Sequence, residues 1–139
     1  MSTATVSAAR TAAAAPSYGS LLLSGAAATV GAAVATALVA AAGQAVGIST
    51  AVAGQEIPAS GFGVMTVIFA VLGLVIATAL RRFARRPRTA WLRTTVVLTA
   101  LSFVPDVLAD AAVSTKVLLM VTHVVAAAIV IPAVARRLS

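Results

Sequence analysis

With 139 residues, 61% hydrophobic and 9% charged, the chain makes one compact unit and has too little polar surface to cover a soluble globule, which carries about 25% charged residues. Its mean hydropathy of +1.09 makes a bilayer the solvent for most of it. A net charge of +7 would suit nucleic acid, but the arginines flank apolar spans instead of lining one soluble face, which argues against a nucleic-acid partner. There is no cysteine, hence no disulfide and no thiolate metal site.

Residues 1–20 are small and polar, with Arg10 as their only charge, and read as a disordered cytoplasmic tail. A cleaved signal peptide would need a shorter apolar core than the one that follows. Span one, 21–42, is 22 residues long, about 33 Å as a helix, and ten of its positions are alanine. Gly25, Thr29 and Ala33 repeat at four, as do Ser24, Ala28, Ala32, Thr36 and Ala40. Such small-residue faces let helix backbones approach closely, so this span is expected against other helices and not against lipid.

Residues 43–60 read as a loop with glycines and Pro58, in which Glu56 is solvated. Span two, 61–80, is the most lipophilic and ends at a run holding Arg81, Arg82, Arg85, Arg86, Arg88 and Arg93. Pro87 breaks the helix there, and Trp91 suits the headgroup level. Spans three and four follow at about 94–113 and 116–135, joined by a tight turn at Ser114 and Thr115. The expectation is an all-α polytopic membrane protein: a four-helix transmembrane domain over 21–139, with both termini cytoplasmic. That topology puts nine of the ten basic residues on one side and leaves only Lys116 outside. Orientation and contact with anionic lipid account for the six-arginine loop.

All three acids fall in the outer half. Thr95, Thr99, Ser102, Asp106 and Asp110 are spaced 4, 3, 4 and 4, which puts them on one helical face. A polar stripe on a membrane helix faces protein or a wet cavity. In a hairpin turning at Ser114 and Thr115, Asp106 and His123 lie level, roughly 10–13 Å from the outer end at 1.5 Å per residue. An aspartate at a span's centre costs about 2.5–3.5 kcal/mol, so an off-centre Asp106 still needs a partner, and His123, the only histidine, is the nearest. Pro105 leaves the Leu101 carbonyl without its usual amide. Asp106 and Asp110, one turn apart, are expected to share a proton, and with His123 they form a candidate acid–base site. The plainer reading is a hydrogen bond between helices, with Asp110 paired to Lys116 at the water boundary. No phosphate loop or nucleophile elbow is present, no cofactor is indicated, and one imidazole is too few nitrogen ligands for a usual metal set.

The segments LSFVPDVLAD and LLMVTHVVAAAIVIPAVARRL resemble the last two spans of small four-helix membrane proteins of high-GC Gram-positive bacteria, a family of unknown function. The resemblance is carried most by Pro105, His123 and Pro132. It implies the architecture and a bacterial plasma membrane, and supplies no activity. Three functions compete: a bundle binding a lipophilic small molecule, or a partner membrane protein or second copy; a membrane-embedded acid–base enzyme of the isomerase or cyclase type; and a proton-coupled small transporter.

Overall fold

The computed structural model describes residues 17–138; residues 1–16 of the expected tail lie outside that range. In chain order the elements are α1 (Tyr18–Ala45), β1 (Ala51–Val52), β2 (Gln55–Glu56), α2 (Ala59–Phe83), α3 (Pro87–Leu108) and α4 (Val113–Ala135). All four helices are long and apolar enough to cross a membrane. The protein is therefore a multi-pass helical bundle, as its composition required.

Helix α1 begins under a side-chain cap, since Ser17 Oγ accepts the Ser20 N–H at 3.1 Å. Its buried positions are Leu21, Gly25, Ala28, Thr29, Ala32, Thr36, Ala40 and Gly43, so the two small-residue series merge into one stripe. That stripe packs between α2 and α4, and α1 is the most enclosed of the four helices. Lipid tails are as apolar as leucine, so close fit and not water exclusion holds such helices together. The fit is tight: a Cβ on Gly25 would lie 2.5 Å from Leu74 Cδ1, and one on Gly63 would lie 3.1 Å from the Ala33 carbonyl oxygen. A hydroxyl pair, Thr36 Oγ1 to Thr66 Oγ1 at 2.8 Å, adds a polar link between α1 and α2.

At the arginine end a small core gathers Leu21, Ala77, Trp91, Val134, Ala135 and Leu138. Trp91 corrects its expected place in a headgroup belt. It is 1% exposed, turned into the bundle, and its indole N–H donates to the Ile131 carbonyl at 3.1 Å. Arg81 fastens this end. Its Nη1 donates to the Ser17 carbonyl at 3.1 Å and to the Arg137 carbonyl at 3.5 Å, and its guanidinium lies 4.3 Å from the Tyr18 ring centroid. The start of α1, the end of α2 and the end of α4 thus meet at one end of the bundle. Arg82, Arg85, Arg86, Arg88 and Arg93 are exposed.

Helix α3 runs from Pro87 to Leu108, where the apolar run alone indicated about 94–113. Pro87 starts this helix rather than breaking one, because a first-turn position needs no N–H and favours proline's fixed φ. The turn to α4 accordingly lies at 109–112, earlier than Ser114 and Thr115.

The loop between α1 and α2 is more ordered than its composition implied. Strands β1 and β2 form an antiparallel hairpin with Val52 opposite Gln55. Its turn has φ of +49° at Ala53 and +75° at Gly54, the left-handed pair of a type I′ turn. Alanine is costly there, by roughly 1–2 kcal/mol, and it is held by Ala53 N–H donating to the Asp110 carbonyl at 2.8 Å. Thr115 Oγ1 donates to the Ser49 carbonyl, at 2.6 Å. The hairpin therefore caps the α3–α4 turn.

Candidate functional site

Asp106, near the C-terminal end of α3, and His123, three turns into α4, come together: His123 Nδ1 is 2.9 Å from Asp106 Oδ2. They meet although the turn is earlier than expected, because helical side chains lean toward their own N-termini. In this antiparallel pair that sends Asp106 toward the arginine end and His123 toward the hairpin end, so the two approach each other. The Asp106 side chain is 8% exposed, and that of His123 37%. The Phe103 and His123 rings stand nearly perpendicular, centroids 6.5 Å apart at 79°.

The contact is close in distance but poor in alignment. His123 Nδ1 also lies 3.0 Å from the Leu119 carbonyl, which competes for it. Asp106 Oδ2 is buried without a hydrogen-bond partner among the described residues. The imidazole meets it at ion-pair distance but does not aim a donor at it. In hydrocarbon an unsatisfied polar group costs several kcal/mol. Asp106 is thus an expensive residue only partly compensated.

The other predicted members are elsewhere. Asp110 falls past the end of α3 and is exposed, and its backbone carbonyl, not its side chain, is engaged. No side-chain contact links it to Asp106, so the shared proton between two carboxylates has no geometric basis. Lys116 does not pair with it either; its Nζ donates to the Val107 carbonyl at 2.9 Å. Glu56 stays in the hairpin cap, where its Oε2 accepts from the buried Thr50 hydroxyl at 2.9 Å. Among the described residues no three His, Cys, Asp or Glu side chains cluster as a metal set would.

Part of the polar stripe of α3 faces a cavity: Thr95, Thr99 and Ser102 line it, and Asp106 and Asp110 do not. A cleft of about 600 Å³ opens between α2, α3 and α4, and Thr95, Thr99, Ser102, Pro105, Thr122 and His123 contribute to its wall. Its apolar wall includes Phe62, Met65 and Phe69, and Gly73 and Trp91 lie at its inner end. Two polar wall residues, Thr66 and Thr122, escaped sequence reasoning. Thr122 could have been found from its place beside His123; Thr66, on the most lipophilic span, gave only a hydroxyl with no polar neighbours in register. The cleft exists because α2 packs closely on α1 and only loosely on α3 and α4.

These features define a class: a small four-helix membrane protein with a side cleft and, on its wall, an imidazole paired with an acid. The chain belongs to the family of unknown function DUF6069, whose model matches residues 16–139. No curated protein and no solved structure matches it.

Proposed function

We propose that the protein binds a lipophilic small molecule in the cleft between α2, α3 and α4, with His123 and Asp106 at its head end. The observation that carries this reading is the cleft itself, a mainly apolar cavity large enough for a lipid-like molecule, with a single imidazole on its wall. The test is native mass spectrometry of detergent-purified protein, wild type beside Gly73→Leu and His123→Ala. A small lipophilic mass on the wild type, absent from Gly73→Leu and reduced in His123→Ala, is the expected result. Equal bulk lipid on all three folded proteins sinks the reading, and the pair is then helix glue, with a partner membrane protein or second copy to be sought along the helix faces.

A second reading rests on the 2.9 Å separation of Asp106 and His123 beside that cleft. An acid–imidazole pair within reach of a bound lipophile can exchange a proton with it, as an isomerase or cyclase requires. Asp106→Asn then abolishes turnover of the bound molecule while sparing its binding. For both readings we place the protein in a bacterial plasma membrane with the arginine end and both termini in the cytoplasm, following the positive-inside bias.

A further inference from the structure

Resting on the cleft reading above, we propose that the ligand is a neutral lipophilic alcohol whose hydroxyl donates a hydrogen bond to His123 Nε2, with its tail running toward Trp91.

The polar atoms of the cleft wall have mostly spent their protons. Thr95 Oγ1 donates to the Trp91 carbonyl at 2.8 Å, Ser102 Oγ to the Thr99 carbonyl at 2.7 Å, and Thr122 Oγ1 to the Leu119 carbonyl at 2.7 Å. Thr66 Oγ1 donates to the Phe62 carbonyl at 2.8 Å. The Trp91 indole N–H goes to the Ile131 carbonyl. A hydroxyl has one proton to give, so these oxygens offer the cleft only lone pairs. His123 Nδ1 sits between two acceptors, the Leu119 carbonyl at 3.0 Å and Asp106 Oδ2 at 2.9 Å, surroundings that favour the tautomer with its proton on Nδ1. That leaves Nε2 as the ring nitrogen available to the cleft. A neutral imidazole presents a lone pair at Nε2. Among the described wall hydroxyls Thr99 alone keeps its proton for the cleft, so a ligand seated on His123 brings the donor itself.

A hydroxyl meets this requirement in either charge state of the ring, since it both donates and accepts. A carbonyl or ether meets it only when the ring is cationic. The cleft wall extends along α4 from Leu119 to Ile131, about 18 Å at 1.5 Å per residue. That suits one medium-length chain lying along the helix. Trp91, the sole tryptophan of the chain, lines its inner end.

The test uses Trp91 as the reporter, in phosphatidylcholine nanodiscs, because that lipid has no hydroxyl donor. The probes are dodecanol with bromine on its terminal carbon, the methyl ether of that molecule, and dodecylammonium brominated in the same place. The alcohol is expected to quench Trp91 fluorescence at about one-tenth of the concentration the ether needs, the value of one hydrogen bond. His123→Phe, which keeps a ring and loses the nitrogens, brings that ratio to one. Alcohol and ether quenching alike in the wild type overturns the inference and leaves the cleft reading standing. Stronger quenching by the ammonium probe than by the alcohol also overturns it, and makes the head site a cation site. Quenching no greater than in Gly73→Leu removes the cleft reading and this inference with it. The wild-type comparison needs no variant, so a misfolded His123→Phe does not protect the idea.

Discussion

At the scale of single residues, Asp106 is the most costly choice in the chain. It lies on a membrane-spanning helix, is 6% exposed, and has one neighbour of complementary chemistry at 2.9 Å. Interhelical polar contacts in membrane proteins average about 0.6 kcal/mol and reach about 1.7. The off-axis approach of Nδ1 puts this one near the lower figure. A double-mutant cycle of Asp106→Asn and His123→Phe, followed by unfolding in mixed detergent, should give a coupling of about 0.5–1 kcal/mol. A coupling indistinguishable from zero would mean that packing alone holds the two side chains together. The pairing was legible in the sequence because a lone histidine and an off-centre aspartate stood equally far from a predicted turn. The turn was misplaced, and side-chain lean compensated for it. The Leu119 carbonyl as a rival partner for Nδ1 was not legible, since it depends on a rotamer.

At the scale of elements, glycines on α1 separate packing from propensity. Nothing lies within 4 Å of a Cβ placed on Gly31, whereas one on Gly25 runs into Leu74. Gly31→Ala should stabilise the protein by about 0.5–1 kcal/mol through helix propensity alone. Gly25→Val should destabilise it by about 1–3 kcal/mol, because Leu74 can move for one methyl but not for a branched side chain on a packed face. Thermal unfolding in detergent orders the three proteins; a reversed order would mean that α1 does not pack on α2 through this stripe. In the hairpin cap, Ala53→Gly relieves a left-handed alanine and should raise stability by up to about 1 kcal/mol in the same assay. The α1 stripe was readable because small residues at four-residue spacing have few other uses in a membrane helix. The hairpin was not, because an Ala-Gly turn between two-residue strands carries none of the usual Asn-Gly or Asp-Gly signal. The start of α3 was missed for a different reason. Apolar runs mark where a helix meets lipid, while arginine is a good helix former and Pro87 a good first residue, so the helix extends beyond the run.

At the scale of the whole molecule, apolar runs mark the four spans and the arginine bias carries the expectation of sidedness, while neither signals the cleft. A cavity depends on which helices pack loosely, and α2 reads as uniformly lipophilic whether it faces lipid or a groove. Sidedness can be tested directly, because the chain has no cysteine and any engineered one reports alone. Gln55→Cys lies on the hairpin and Thr89→Cys at the arginine end, both exposed. In intact bacterial cells an impermeant maleimide should label Gln55→Cys and spare Thr89→Cys until the membrane is opened; the opposite pattern reverses the assignment. The arginines then divide by role. Arg81 is tied to the Ser17 and Arg137 carbonyls, so Arg81→Gln should lower thermal stability without moving the labelling. Arg85, Arg86 and Arg88 are exposed and contribute charge, so replacing all three with glutamine should leave stability within about 0.5 kcal/mol. It should produce a mixed population in which Thr89→Cys becomes partly labelled in intact cells, since loop charge near the spans sets orientation. If the triple variant kept a single orientation, Arg82 and Arg93, with the helix-end arginines, would be sufficient to hold it.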